Sequence, residues 1–331
     1  MQIFPIVFGI TFAIVSLLAS RWVYVDTRAR AAEKRGEALI WSLGTLLALP
    51  IFLPIYLIAA RPTGRMERCP SCGRFTLMHR AACQHCGNAI AFEPPPTMWG
   101  LSEVVGISVV FILSLPVVAA AAGFEDEPTL AALSAFAVVQ NMLFVGLAVY
   151  VARNRYRLPI ASLGLSFQRW PLLLVAGLMI GGATILVSMG AERLAIAILS
   201  LFIGRPRAER MAAAEHESDV LMGILRGPLT SAELTWILIL VCVLVPIGEE
   251  IFFRGFVYRA LRQWGIPLAL GLSALFFGAV HQQVVHFLPI FTLGVGLALL
   301  YERVQSLLPG IVIHAVNNLV AVLAVMYGWN I

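Results

Sequence analysis

An all-α polytopic membrane protein is the fold class this sequence predicts, and three observations predict it. The 331 residues are 60% hydrophobic and only 12% charged, with a mean hydropathy of +0.88, a composition outside the range of soluble domains of this size. The apolar residues are gathered into runs of about 17–25 positions, the length that crosses a bilayer core as a helix. The basic residues cluster in short loops between those runs, as they do where cytoplasmic loops lie against anionic lipid. We read about eight spans, in a multi-pass protein of the cell membrane. The chain divides into N-terminal membrane segments (1–60), a small polar insertion with a proline-rich end (61–96) and a membrane domain (97–331). A net charge of +5 is modest and implies no nucleic-acid partner; lipids are the expected surroundings.

The first apolar run, Ile3 to Ser20, lacks a basic leader and is read as a retained helix rather than a cleaved signal peptide. Five Lys/Arg between Arg21 and Glu37 mark a cytoplasmic stretch. The second run, Ala38 to Ala60, is interrupted by Pro50 and Pro54. If it spans, the basic stretch before it falls outside. If it dips in and returns, the contradiction disappears. Composition does not decide between the two.

The insertion carries Cys69-Pro-Ser-Cys72-Gly and Cys83-Gln-His-Cys86-Gly and ends in Glu93 followed by three prolines. Each C-x-x-C-G makes a tight knuckle whose backbone N–H groups face the thiolates, and two knuckles complete a four-thiolate tetrahedral site. The duplication points to structural zinc rather than a redox pair, because a segment this short has no core without the metal. It resembles a zinc ribbon, a module suited to recruiting a protein partner. His79 and His85 are bystanders, since four sulfurs fill the site. Cys242, alone in an apolar run, is a small core residue.

Val104–Gly123 and Leu130–Ala152 form a helical pair joined by an acidic turn (Glu125, Asp126, Glu127) and followed by a basic loop with Arg153, Arg155, Arg157 and Arg169. Acidic outside and basic inside orients the pair and places the cysteine segment in the cytoplasm. Pro171 to Met189 is a further span, with Gly177, Gly181 and Gly182 for close helix contact. Residues 191–230 read as an interfacial helix and a loop, with His216 solvated. The last four spans are expected over 234–257, 265–281, 284–301 and 307–329.

The chemistry is concentrated in these last spans. Glu249, Glu250 and Arg254 sit within six positions of an otherwise apolar segment. An ionised side chain at the centre of a membrane helix costs roughly 2.5–3.5 kcal/mol on insertion scales, so such residues are rare and usually functional. Glu250 and Arg254 are one helical turn apart and share a face, whereas Glu249 is turned about 100° away. One reading is an internal salt bridge that fixes packing; the other is a buried acid–base centre. The next spans supply His281 and then His314 with Asn318, the last two again at i and i+4. Scattered, each polar group would be expensive in lipid; grouped, they satisfy one another, so one shared cavity is expected. His286 reads as a loop residue at the membrane edge.

The ordered set Glu249-Glu250-x-x-x-Arg254, Phe277-x-x-x-His281 and His314-x-x-x-Asn318 resembles the motifs of the CAAX prenyl protease and bacteriocin-processing family, also called Abi. Residues Leu293–Arg303 and Gly310 fit the same pattern, and the likeness covers about 165–325. It implies an intramembrane endopeptidase acting on a membrane-associated peptide or protein. Glu249, His281 and His314 are then the catalytic core, supported by Asn318 and accompanied by the Glu250–Arg254 pair. Glu249 would activate water, helped by His281, and His314 with Asn318 would donate to the oxyanion. Glu249, His281 and His314 are also a possible catalytic-zinc set, although H-E-x-x-H is absent; metal-free chemistry is the preferred expectation. Two other functions compete: a non-proteolytic adaptor that recruits a partner through the ribbon, and a proton-coupled transporter. An adaptor has no need of the buried polar set, and no inverted repeat supports a transporter.

Overall fold

The computed structural model describes residues 3–30, 35–62, 66–77, 80–90, 98–121, 129–218 and 220–329. The acidic turn, the proline-rich linker and His79 lie outside the described residues. The chain is an all-α polytopic membrane protein with one small hairpin. Among the described residues, five helices are long and apolar enough to cross a membrane, and four further apolar helices are shorter. Two compact units form, residues 1–114 with 153–158 and residues 115–152 with 159–331.

In the first unit, α1 (Ile3–Arg30) is followed by α2 (Arg35–Leu47) and α3 (Leu49–Ala60). Ser20 Oγ of α1 donates to Ser42 O of α2 at 2.7 Å. The chain breaks at Ala48, and Pro50 sits in the first turn of α3, where a missing N–H costs nothing. The end of α3 then comes back to α1. Tyr56 Oη donates to Asp26 at 2.7 Å, Arg61 Nε donates to Asp26 at 2.8 Å, and Arg30 reaches Pro62 O at 3.0 Å. The second apolar run therefore folds as a helical hairpin that returns to the Arg30 end of α1. Glu103, buried in this unit, accepts from Arg155 Nε (3.2 Å), Tyr156 Oη (2.9 Å) and Gly100 N (3.0 Å).

The second unit contains α5 (Leu130–Arg155) up to Ala152, preceded by the end of α4 (Leu101–Ala121), then α6 (Trp170–Ile203), α7 (Arg205–Ser218), α8 (Val220–Arg226), α9 (Ser231–Trp264), α10 (Ile266–Val280), α11 (Phe287–Val304) and α12 (Leu308–Tyr327). One span differs from expectation. α6 does not stop near Met189 but runs on through the short apolar stretch 194–203 as a single helix. Glu192 and Arg193 do not break it, because neither residue opposes helical backbone. Its outward side chains, among them Leu178, Met179, Leu186 and Leu201, are exposed, as on a lipid-facing helix. Its inner face carries Gly177 and Gly181, where a Cβ would come within 2.8 and 3.0 Å of Val312 and Val316 of α12. The glycines let the two backbones approach.

α9 is the buried centre of the unit, with residues 251–258 all buried. Phe144 of α5 stacks on Phe252 at 4.2 Å, and Phe253 packs edge-on against Phe276 and Phe277 of α10. At its end, Arg262 and Tyr258 donate to Glu302 of α11 at 2.9 and 2.8 Å.

Candidate active site

The polar residues of α9 owe their placement to two departures from α-helical spacing. Residues Leu240–Leu244 and Ile251–Tyr258 are wound as π-helix, in which a carbonyl pairs with the N–H five residues on. The first stretch precedes Pro246. Val245 N donates to Leu240 O, so the next carbonyl, Val241 O, would pair with residue 246, a proline without an N–H. Asn318 of α12 fills that gap: its Nδ2 donates to Val241 O at 2.8 Å. A side chain from a neighbouring helix thus completes the backbone of the turn that leads through Pro246 to Glu249.

Glu249, Glu250, Arg254 and His314 are brought together, at 7%, 1%, 2% and 5% exposure. Arg254 Nη1 donates to Glu250 Oε1 at 2.7 Å, its second nitrogen reaches Gly294 O at 3.4 Å, and the guanidinium lies 4.3 Å over the Phe277 ring. His314 bridges the two carboxylates. Its Nδ1 faces Glu250 Oε1 at 3.4 Å and its Nε2 faces Glu249 Oε2 at 3.7 Å. Glu249 Oε2 is buried and has no hydrogen-bond partner among the described residues. A carboxylate oxygen in that state is expensive unless something polar completes it.

His281 lies at the C-terminal end of α10 and is exposed. Its Nδ1 is 2.7 Å from Phe277 O, and a carbonyl only accepts, so the proton is on Nδ1 and Nε2 is left as an acceptor. The Phe277 ring packs edge-on against both histidines, 4.9 Å from His281 and 5.9 Å from His314. Asn317 is turned away, donating to Thr184 Oγ1 of α6 at 2.7 Å.

In the insertion, β1 (Met66–Arg68) and β2 (Phe75–Leu77) pair antiparallel. The two knuckles repeat one geometry: Gly73 N donates to Cys69 O and Gly87 N to Cys83 O, each at 2.8 Å, and both glycines have positive φ, which favours glycine. Cys69 and Cys86 sulfurs are 3.8 Å apart, as are those of Cys72 and Cys83. Four thiolates about 2.3 Å from a tetrahedral zinc would be separated by about 3.8 Å, so the residues fit the ion. Burial pushes the Cys83 thiol up, but the backbone N–H groups of His85 and Cys86 outweigh it and bring it down to about 6. His85 contacts Phe75 O at 2.9 Å.

Among the described residues, one other set of three or more groups has metal-ligand atoms within 4.8 Å of one another: Glu192, His216 and His286. Glu249, His281 and His314 do not form such a set. No pattern in the order of residues joins His216 to His286. They are seventy positions apart, with no motif spacing between them, and only the folding of α7 against the start of α11 brings them together.

Residues 231–320 match the family model described as type II CAAX prenyl endopeptidase Rce1-like. That stretch contains the whole Glu249 cluster and is similar to CAAX-type intramembrane proteases over those residues alone. No curated protein and no solved structure matches the chain.

Proposed function

We propose that the chain is an intramembrane endopeptidase in which Glu249 activates the attacking water. The observation that carries this reading is the buried, unpartnered Glu249 Oε2, 3.7 Å from His314 Nε2. That separation is too long for a hydrogen bond and suits a water molecule held between the two.

Arg254 compensates one carboxylate of the buried cluster. The second, Glu249, faces His314 Nε2 at 3.7 Å. The pair is thereby an acid–base dyad. Glu249 takes a proton from water as the hydroxide oxygen bonds to the scissile carbonyl carbon; the carbonyl electrons move to its oxygen. The proton passes to the leaving nitrogen as the C–N bond breaks, giving a carboxylate and a free amine. His314 supplies charge to the oxyanion, and His281, with Nε2 free, lies against the Phe277 ring at the exposed edge of the site. Asn318 acts at one remove, by completing the backbone that aims Glu249. Glu250 and Arg254 fix the base of the site.

The substrate class that follows is a peptide bond of a membrane-associated protein or peptide. In the insertion, Cys69, Cys72, Cys83 and Cys86 hold a structural zinc ion whose role is to fold the ribbon; the ribbon offers a surface for a protein partner. The test is Glu249→Gln. It preserves volume and removes the base, so turnover should fall by about two to four orders of magnitude while the thermal midpoint in detergent is retained. A variant that is inactive only because it is unfolded would leave Glu249 with a structural role and end the reading.

A further inference from the structure

Away from Glu249, a cavity of about 500 Å³ opens against α6 and α12, with Glu192, His216, Met222, Arg226, His286 and Asn317 in its wall. Its polar groups are arranged in a particular way. His286 Nε2 stands 3.2 Å from His216 Nε2 and 3.9 Å from Glu192 Oε1. On the other edge of the ring, His286 Nδ1 is 2.8 Å from Glu215 Oε2.

Glu215 is itself pinned. It accepts from the backbone N–H groups of Val284 (2.7 Å), Val285 (3.0 Å) and His286 (3.2 Å). With three backbone N–H groups already donating to Glu215, its carboxylate is the acceptor for His286 Nδ1, which leaves Nε2 on the side of His216 and Glu192. A carboxylate behind an imidazole, fixing its tautomer and raising its basicity, is the arrangement that supports metal-binding histidines.

The spacing is that of ligands around one small ion. With zinc–nitrogen distances of about 2.0–2.1 Å, two imidazoles at adjacent tetrahedral positions are separated by about 3.3–3.4 Å. The observed 3.2 Å is close to this, and Glu192 Oε1, 3.9 Å from His286 Nε2, needs to come roughly half an ångström nearer to that nitrogen. Two imidazoles and one carboxylate also suit zinc by ligand type. We propose that Glu192, His216 and His286 form a divalent-metal site of zinc class, with Glu215 as the positioning residue for His286 and the fourth ligand position open to the cavity.

The ion would join α6, α7 and the connection between α10 and α11. That connection begins at His281 and passes through Gln282, which has a positive φ of 57°. Metal bound at His286 therefore restrains the five residues that follow His281. The site uses none of the residues assigned to water activation, so the proposal stands or falls separately from the protease reading.

The experiment is zinc content of the full-length protein, purified in detergent and equilibrated with zinc, by mass spectrometry. His216→Ala and His286→Ala should each lower the content by one ion per chain. Replacing Cys83 and Cys86 together by Ser should leave the component that the histidine variants remove. Cobalt loading should give a visible spectrum with a component free of thiolate charge transfer, and only that component should vanish in either histidine variant. Glu215→Gln keeps all three ligands, and apparent affinity at this site should fall about 10- to 100-fold. His216 is exposed, so His216→Ala should keep the metal-free thermal midpoint and lose the rise that zinc produces in the wild type. Zinc content and cobalt spectra unchanged by both histidine substitutions would overturn the proposal, leaving a hydrogen bond between two imidazoles.

Discussion

Replacing Asn318 with Ala should destabilise the protein because of what lies opposite it, a backbone carbonyl whose partner in the π-register is a proline. Asn318 Nδ2 donates to Val241 O at 2.8 Å, and the residue that would otherwise donate is Pro246. Orphaning a buried carbonyl costs about 1–3 kcal/mol. Pro246→Ala restores an N–H at the position where the π-register asks for one, so the same Asn318→Ala change should cost little in that background. A double-mutant cycle isolates the coupling, expected at about 0.5–3 kcal/mol and of rescuing sign. Unfolding of the four proteins in detergent, followed by circular dichroism, supplies the numbers. Glu249 lies three residues beyond Pro246, so Asn318→Ala should also reduce turnover in the molecules that remain folded. Equal destabilisation by Asn318→Ala with proline or alanine at 246 would refute the reasoning and return Asn318 to simple interhelical contact.

Other outcomes follow from the same geometry. Glu250→Gln leaves Arg254 buried without its counter-charge and should cost about 3–5 kcal/mol; adding Arg254→Gln should recover part of it, measured as the thermal midpoint in detergent. Gly177→Val should lose stability by about 1–3 kcal/mol, since the Cβ lands 2.8 Å from Val312 and the two helices must separate; unchanged unfolding would show that α6 and α12 are not closely packed there. Chelation should open residues 66–90 to protease and zinc should restore protection, because the ribbon has little core besides its four sulfurs; resistance without metal would remove the structural role of the ion.

The helical class and most spans were legible because lipid demands long apolar runs, which few substitutions can disguise. The Glu249, Glu250, Arg254 and His314 grouping was legible for the same reason, as isolated polar groups in such runs have to meet. Two kinds of feature were not. α6 continues past Gly190-Ala-Glu-Arg193 because a polar patch facing a cavity leaves helical backbone undisturbed, so hydropathy alone ended the span too early. The part played by Asn318 depends on a π-turn ahead of Pro246; proline marks a disturbed helix, but not which carbonyl is released or which side chain answers it. His216 and His286 illustrate a third limit. Each lies in a polar segment where a solvated histidine is ordinary, and their meeting is a product of tertiary structure alone.

The central claim, that Glu249 activates water for peptide-bond hydrolysis, is tested most directly by heavy-oxygen labelling. Membranes containing either the wild-type protein or Glu249→Gln would be incubated in heavy-oxygen water, and new peptide termini identified by mass spectrometry. The account predicts new carboxyl termini carrying one heavy oxygen with the wild type, and their absence with a folded Glu249→Gln protein. The same labelled termini, formed at the same rate by Glu249→Gln, would contradict it.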